Sequence, residues 1–228
     1  MKKRSLPVDL RALYDRFVVC EEPITVGERV FDIIRPRNAD DLISEADYVM
    51  DERLPYWADI WPSSTALAGV AAGLDGRGKR ALELGCGLGL VTVGALRAGF
   101  NVLASDYYED ALLFARRNGL RNAGREPETR MVDWRVWPAD LGRFDLLLAS
   151  DVLYERTHAT LVADAIVSAL RPGGRALIAD PGRVALLAFV TACEERGCRA
   201  SVHARIPWAE GIAKQTITIH EISAPDGG

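Results

Sequence analysis

Residues 80–89 read Arg-Ala-Leu-Glu-Leu-Gly-Cys-Gly-Leu-Gly, and this stretch decides the fold class of the chain. Its first half is a short apolar run, and glycines then follow at alternate positions, Gly85, Gly87 and Gly89. Glycines at this spacing allow a tight turn and let the backbone approach a ligand closely. A helical pattern begins directly afterwards, at about Leu90. The stretch therefore predicts a strand, a glycine loop and a helix, which together open an α/β sheet.

Strands and helices continue to alternate along the rest of the chain. The predicted strands cover residues 80–84, 101–105, 129–133, 144–150, 175–180, 199–205 and 215–222. The predicted helices cover residues 63–72, capped by Ser63 or Ser64, and residues 90–98, 109–118, 157–170 and 184–196. Short apolar strands with little polar alternation are typical of a sheet covered on both faces. We predict a doubly wound α/β sheet of seven strands, mostly parallel, with an antiparallel last strand.

The first 55 residues have a different pattern and are predicted to form an N-terminal extension made of a helix and a hairpin. Residues 6–19 read as an amphipathic helix running into a short strand, and residues 29–35 alternate as a strand that Pro36 ends. Pro23 and Gly27 indicate the turn of a small hairpin. Asn38 can cap a further short helix through Val49. The sheet domain then covers residues 56–228.

Composition excludes several classes of protein. The chain has 228 residues, of which 49% are hydrophobic and 26% charged, so a disordered or collagen-like chain is excluded. Its net charge of −4 argues against stable nucleic-acid binding. No apolar stretch approaches the ~20 residues that span a bilayer, and the basic N-terminus lacks a following apolar region. We predict a soluble cytoplasmic protein that binds no membrane, and the oligomeric state stays open.

Metal binding is not predicted, because the candidate ligands are scattered. The four cysteines are Cys20, Cys86, Cys193 and Cys198, and none belongs to a Cys-x-x-Cys pair. The three histidines also stand singly along the chain. A structural zinc site needs clustered ligands.

Polar and aromatic residues that suit a nucleoside follow the predicted strands. Asp106 ends the second strand, 17 residues after Gly89, which is the length of one helix and one strand. A carboxylate there can accept both hydroxyls of a ribose, or it can cap the next helix. Asp133 can accept a hydrogen bond from the amine of adenine, and Trp134 can cover the flat face of the base. Ligands of such sheets bind beyond the carboxyl ends of the strands.

The glycine loop resembles that of a known superfamily. Glu83 to Gly89 has the form E-x-G-x-G-x-G of the class I S-adenosylmethionine-dependent methyltransferases, and Leu90 stands where the dinucleotide fingerprint G-x-G-x-x-G needs glycine. The pairs Trp61-Pro62 and Asp133-Trp134 and the segment Asp151-x-x-Tyr154 look like the seven-strand protein-lysine methyltransferase family. Within that family, residues 56–62 and 180–183 look most like the branch that modifies the β subunit of electron-transfer flavoprotein.

This resemblance implies a Rossmann-like methyltransferase domain that uses S-adenosylmethionine as its cofactor. The implied cofactor-binding residues are Trp61, Glu83, Gly85, Gly87, Gly89, Asp106, Asp133, Trp134 and Ser150. Glu83 suits a cationic ligand or orients the loop. Asp151 and Tyr154 are the implied catalytic residues, which would orient a lysine amine of a protein substrate. Asp151 could equally hold the methionine end of the cofactor or cap a helix.

Three other functions stay open at this point. A small-molecule N- or O-methyltransferase could use residues 1–55 as a lid over a compact pocket. A cofactor-binding protein without catalysis could serve as a scaffold for a partner. A dinucleotide-dependent oxidoreductase is disfavoured by Leu90.

Overall fold

A seven-stranded sheet forms the middle layer of the protein in this computed structural model, which describes residues 10–39, 42, 55–210 and 212–224. In chain order the elements are α1 (Leu10–Arg16), β1 (Val19–Val26), β2 (Arg29–Pro36), a short 3-10 turn (Tyr56–Ala58), α2 (Pro62–Ala72), β3 (Arg80–Leu84), α3 (Leu90–Arg97), β4 (Asn101–Asp106), α4 (Glu109–Ala123), β5 (Glu128–Met131), β6 (Phe144–Ser150), α5 (His158–Ala169), β7 (Leu170–Asp180), α6 (Leu186–Glu195), β8 (Arg199–Glu210) and β9 (Ala213–Ser223).

The strand order confirms the predicted doubly wound sheet. The order is β5-β4-β3-β6-β7-β9-β8, so the chain starts in the middle and winds outward in both directions. The pairings among β5, β4, β3, β6 and β7 are all parallel. The last strand, β9, is antiparallel to both of its neighbours, as predicted.

Alternate side chains of the central strands enter two separate cores. Leu146 and Leu148 of β6 belong to the core under α2 and α3, whereas Leu147 and Ala149 belong to the core under α5 and α6. All four are almost fully buried. Both faces of the sheet are therefore covered by helices, which explains why the strands read as continuous apolar runs. Within the described parts of the chain, every helix is too short or too polar to span a bilayer.

The N-terminal hairpin packs against the sheet domain. β1 and β2 pair antiparallel, and Gly27, with a φ of +59°, lies in the turn between them. The prediction that Pro23 belongs to this turn is wrong, because Pro23 lies within β1 opposite Asp32. Phe31, Ile33 and Ile34 of β2 are fully buried in the same core as α2 and α3. The hairpin therefore shares the main hydrophobic core.

Two helix boundaries differ from their predictions. The N-cap of α2 is Trp61 and Pro62 occupies its first turn, so neither serine caps the helix. Proline suits this position because it lacks an N–H and its φ is already helical. Helix α4 continues past Asn118 to Ala123 and ends at Gly124, whose φ is +67°. Gly119 lies inside α4 where a side chain would not fit without a shift, because a Cβ there would lie 2.8 Å from Pro127 Cδ.

Other differences concern the ends of the sheet. β8 and β9 are longer than predicted and form a hairpin that extends beyond β7. Pro172, Gly173 and Gly174 lie within the β7 element, and α5 ends before them at Ala169. The helix predicted from Asn38 to Val49 and the first residues of the predicted N-terminal helix, 6–9, lie largely outside the described residues.

Replacing Phe31 by alanine tests whether the hairpin and the sheet domain unfold together. The ring is fully buried, so its removal should lower the free energy of unfolding of the whole protein by about 3–5 kcal/mol. Val30→Ala, at the neighbouring half-exposed position, is the control and should change it little. Urea unfolding followed by tryptophan fluorescence measures both. A Phe31→Ala protein with unchanged unfolding would show that the hairpin is not part of the same cooperative unit.

Candidate active site

The predicted site residues come together at one edge of the sheet. β5, β4, β3, β6 and β7 are neighbours and run parallel, so their carboxyl ends meet. Asp106 and Asp180 are the last residues of β4 and β7. The glycine loop, the Asp133-Trp134 pair and Asp151 follow the ends of β3, β5 and β6. This edge is where ligands bind in open α/β sheets.

The glycine loop is held in a conformation that only glycine adopts without strain. Gly85, Gly87 and Gly89 have φ angles of +62°, +49° and +79°. A Cβ on Gly89 would lie 2.7 Å from the Cα of Ala115, so this glycine also lets α4 pack against the loop. A Cβ on Gly87 would lie 3.0 Å from the carbonyl oxygen of Trp57. The loop is therefore enclosed by backbone on both sides, and any side chain at these positions would shift it.

Asp106 joins the glycine loop to the end of β4. Its Oδ2 accepts a hydrogen bond from the backbone N–H of Gly87 at 2.9 Å, and its Oδ1 accepts one from Tyr108 at 3.0 Å. Burial raises the pKa of the Asp106 carboxyl, while these N–H donors oppose the shift. The N-cap of α4 is Tyr108, so Asp106 stands just before the helix. The backbone N–H of Tyr107 opposes the pKa shift as well. A carboxylate has about four acceptor positions, so these three donors leave room for a further hydrogen bond.

Glu83 lies beneath the loop, where it contacts α3. The carboxyl is almost completely buried, and its Oε2 accepts a hydrogen bond from Thr92 Oγ1 at 2.5 Å. Burial raises the pKa of Glu83 to about 8; the hydrogen bonds from Thr92 oppose the shift, and the nearby Asp106 charge adds to it. The main-chain carbonyl of Glu83 accepts a hydrogen bond from Ser105 Oγ. These contacts join β3 to α3 and to β4, the elements on either side of the glycine loop.

The Asp133-Trp134 pair lies beside the glycine loop. A Cβ on Gly85 would lie 3.5 Å from Trp134 Cζ2 and 3.3 Å from Val152 Cγ1, so the indole borders the space over the loop. Asp133 forms a bidentate ion pair with Arg135, with Nε–Oδ1 and Nη2–Oδ2 distances of 2.9 and 2.7 Å. A hydrogen bond that Asp133 accepts from the amine of adenine would therefore share the carboxylate with Arg135.

Asp151 is held by three different parts of the chain. Its Oδ1 accepts a hydrogen bond from Arg183 Nε at 2.6 Å, and its Oδ2 accepts one from Ser63 Oγ at 3.2 Å. Its backbone N–H donates to the carbonyl of Ala179. Among the residues that the structure describes, Asp151 is the only non-glycine with a positive φ, +57°. Such a conformation costs about 1–3 kcal/mol and persists where surrounding contacts hold it. Ser150, just before it, is partly buried at the end of β6.

Arg183 reaches Asp151 from the loop after β7. Asp180 shapes this loop, because its Oδ1 accepts hydrogen bonds from the backbone N–H groups of Gly182 and Arg183, both at 2.7 Å. The guanidinium of Arg183 also lies 5.6 Å from the centre of the Trp61 ring. The ion pair raises the pKa of Arg183, so this side chain stays cationic.

Five aromatic rings line the edge above these loops, and we call them the aromatic row. Their order is Trp61, Tyr56, Tyr154, His158 and Trp134, with successive centroid distances of 6.0, 5.6, 4.8 and 5.3 Å. All four contacts are edge-to-face. Tyr56 and Tyr154 are 43% and 42% exposed, so the middle of the row faces solvent. The row thus joins both predicted tryptophans to the Asp151-x-x-Tyr154 segment.

A sequence profile described as a methyltransferase domain matches residues 62–215, which hold the glycine loop and all of these strand ends. The chain belongs to this methyltransferase family. The match confirms the predicted class I S-adenosylmethionine-dependent methyltransferase, with its cofactor and its Rossmann-like sheet.

Relatives of known function include methyltransferases of two kinds. The electron transfer flavoprotein beta subunit lysine methyltransferase of Xenopus laevis is 32% identical over 139 residues, which cover 57% of this chain and 53% of the relative. A ubiquinone biosynthesis O-methyltransferase of Xanthomonas oryzae pv. oryzae is 30% identical over 120 residues, which cover 50% and 48%. The chain thus spans about half the length of the curated relatives it matches.

Solved structures of other methyltransferases share the fold. The ribosomal protein L11 methylase of Lactobacillus delbrueckii subsp. bulgaricus superposes with a TM-score of 0.57 at 19% identity, over 73% of this chain and 81% of that protein. The magnesium protoporphyrin IX methyltransferase of Synechocystis gives 0.56 at 18% identity, over 82% and 95%.

Two features of this site fit a nucleoside. The space above Gly85, which a Cβ would fill, lies between Trp134 and Val152. The buried Asp106 carboxylate, the ribose acceptor of the prediction, lies against the same loop. A flat apolar ring and a hydroxyl acceptor suit the base and the ribose of S-adenosylmethionine.

Sequence reasoning missed several residues of the site. Arg183 belongs to the segment 180–183, for which the sequence predicted no function. Only the fold shows that its side chain reaches Asp151. Ser63, considered as a helix cap, instead donates to Asp151. Thr92 and His158 were not predicted. Thr92 reaches Glu83 because α3 packs on β3, and His158 contacts Trp134 only in the folded protein.

The buried carboxyl of Glu83 should make the stability of this methyltransferase depend on pH. Its pKa in the folded protein is about 8, against an ordinary value of 4.5, so the folded state retains a proton that the unfolded state has lost. The contribution of Glu83 to the free energy of unfolding therefore falls as pH rises from about 4.5 to about 8. Glu83→Gln should remove that part of the slope. Urea unfolding at half-unit pH steps checks this, with the exposed Glu128→Gln as control, and equal slopes in both variants would contradict it.

Proposed function

We propose that this protein transfers a methyl group from S-adenosylmethionine to the ε-amine of a lysine in a protein. The observation that carries the proposal is the placement of the Asp151-x-x-Tyr154 segment. Its Val152 borders the space over Gly85, and its Tyr154 exposes part of its ring to solvent. The segment therefore joins the cofactor loop to an open surface where a polypeptide can bind.

The glycine loop and its neighbours would hold the cofactor. Asp106 would accept hydrogen bonds from the ribose hydroxyls while it still accepts the one from the N–H of Gly87. Trp134 would cover the flat face of the adenine. Glu83 would act indirectly, because its hydrogen bond with Thr92 holds together β3 and α3, which flank the loop. S-adenosylmethionine, when bound, supplies a methyl group attached to a positively charged sulfur.

The protein would contribute mainly by alignment of the amine. Holding a nucleophile in line with the reacting group can supply much of the rate acceleration. The exposed rings of Tyr56 and Tyr154 would line the aliphatic part of a lysine, and the Tyr154 hydroxyl or an Asp151 oxygen would orient its nitrogen. Arg183 and Ser63 would keep Asp151 in its left-handed conformation for this role.

The relatives support the proposal and also a second candidate. A lysine methyltransferase and a ubiquinone biosynthesis O-methyltransferase match this chain at 32% and 30% identity. Methylation of a small-molecule hydroxyl is therefore the second candidate function. The two differ in the size of the acceptor and in the atom that is methylated.

Titration calorimetry tests the cofactor part of the proposal. The purified protein should bind S-adenosylmethionine and its demethylated product, and not NAD. Asp106→Ala should weaken binding by about 1.5–3 kcal/mol, because a charge-assisted acceptor is lost. Asp110→Ala removes the same side chain at the start of α4, where it pairs with Arg16, and should leave the affinity unchanged. Affinity for NAD without affinity for S-adenosylmethionine would overturn the assignment.

Trp134→Ala separates a cofactor contact from a packing role. The ring borders the loop but is only partly buried, so its loss should lower cofactor affinity more than thermal stability. Trp137→Ala, on the same loop, is the matched control and should leave the affinity close to that of the wild type. A lower melting temperature with unchanged affinity would assign Trp134 to packing alone.

Labelled cofactor identifies the acceptor. Incubation with a cell extract should label a discrete protein band, with the label on lysine after hydrolysis. Because the attacking amine must be neutral, the rate should rise with pH through the neutral and alkaline range. Tyr154→Phe and Asp151→Asn should each slow the transfer by about 10- to 1,000-fold and leave cofactor affinity nearly intact. Label found only in the low-molecular-weight fraction would favour the small-molecule candidate.

A further inference from the structure

Asn118 of α4 contacts both the N-terminal hairpin and the glycine loop. Its side chain is fully buried, and its Oδ1 accepts a hydrogen bond from the backbone N–H of Ile34 at 2.8 Å. Its Nδ2 donates to the carbonyl of Ile34 and to the carbonyl of Leu88, both at 2.9 Å. All the hydrogen-bonding groups of this amide, two N–H donors and one oxygen, are therefore used. One side chain thus joins β2 to the middle of the cofactor loop.

Asn122, one helical turn later, makes the same contact with the hairpin but not with the loop. Its Oδ1 accepts from the N–H of Asp32 at 2.9 Å, and its Nδ2 donates to the carbonyl of Asp32 at 3.0 Å. Its remaining contact is within α4, to the carbonyl of Asn118. The two asparagines therefore form a natural pair for comparison, in which only one reaches the glycine loop.

Helix and strand geometry explain how two asparagines can replace a neighbouring strand. Four residues of an α-helix rise about 6 Å, and two residues of a β-strand advance about 6.6 Å. Amides at positions 118 and 122 therefore match the spacing of residues 32 and 34, whose backbone groups point to the same side of β2. Each amide supplies one donor and one acceptor, as a paired strand would. The outer edge of β2 is thereby hydrogen-bonded to α4.

The contact with Leu88 falls where the loop is most constrained. Leu88 lies between Gly87 and Gly89, which both have a positive φ, and its carbonyl belongs to the peptide group that joins Leu88 to Gly89. A hydrogen bond to that carbonyl restricts the rotation of this peptide plane. On the other side, Gly87 is held by Asp106. The loop is thus held from two directions, by β4 and by α4.

We propose that Asn118 is a positioning residue that makes cofactor affinity depend on the docked hairpin. The hairpin orders the Asn118 amide through Ile34, and the amide orders the Leu88 carbonyl in the cofactor loop. This inference rests on the proposed binding of S-adenosylmethionine by the glycine loop. It assigns to the N-terminal hairpin a part in cofactor binding in addition to its part in the core.

Paired variants separate positioning from stability. Asn118→Ala and Asn122→Ala should both lower stability in urea unfolding, since each leaves backbone groups of β2 without partners. Asn118→Ala should also weaken the binding of S-adenosylmethionine about five- to thirtyfold in calorimetry, measured where both variants are fully folded. Asn122→Ala should change the affinity by less than twofold. The inference would be overturned if Asn118→Ala and Asn122→Ala lost the same free energy of unfolding and bound S-adenosylmethionine with equal affinity.

A measurement on the unaltered protein covers the case in which Asn118→Ala does not fold. If the docked hairpin favours cofactor binding, then bound cofactor must stabilise the docked hairpin by the same coupling. Hydrogen exchange should therefore slow at the N–H of Ile34 when S-adenosylmethionine is added, and slow less at the N–H of Asp32. Unchanged exchange at Ile34 with saturating cofactor would overturn the inference.

Failure of the proposed function has a different signature. If the unaltered protein binds no S-adenosylmethionine in calorimetry, the cofactor assignment itself is wrong. Hydrogen exchange of residues 85–89 without any ligand then decides the role of Asn118 in the loop. Faster exchange there in Asn118→Ala than in Asn122→Ala supports positioning of the loop by Asn118, and equal exchange overturns it.

Discussion

The hydrogen bond from the Gly87 N–H to the buried carboxylate of Asp106 is the contact on which the conformation of the glycine loop depends. It joins the loop after β3 to the end of β4 at 2.9 Å. The loop can accept this contact because glycines tolerate the left-handed backbone that it requires. Burial makes the charge of Asp106 costly, and the backbone N–H groups compensate part of that cost. The same carboxylate thus shapes the loop and remains able to accept a ligand.

A second buried carboxylate, Asp151, joins separate segments of the chain at the same edge of the sheet. Arg183, in the loop after β7, and Ser63, in α2, both donate hydrogen bonds to Asp151, which follows the end of β6. These contacts stabilise a backbone conformation that aspartate adopts at a cost. Tyr154, three residues later, is partly exposed to solvent within the aromatic row. Stable strands support both carboxylates, while the functional side chains stand on the loops between them.

The N-terminal hairpin shows how a segment outside the common sheet can be integrated with it. Its apolar side enters the main core through Phe31 and its neighbours. Its hydrogen-bonding edge is paired with asparagine amides on α4 rather than with another strand. A lid over a pocket would need to move freely, whereas these contacts hold the described part of the hairpin against the domain.

The sheet could be predicted from the sequence, because apolar runs of strand length, helical periods and alternate glycines are local patterns. The sequence also placed Asp106, Trp134 and Asp151 at one edge, since the ends of parallel strands must meet there. The hydrogen-bond partners of the site residues could not be predicted in this way. Arg183 donates to Asp151, Thr92 to Glu83 and Asn118 to Leu88, across 32, 9 and 30 positions of the chain. No local pattern encodes such contacts, because the packing of helices on the sheet sets which side chains can reach each other.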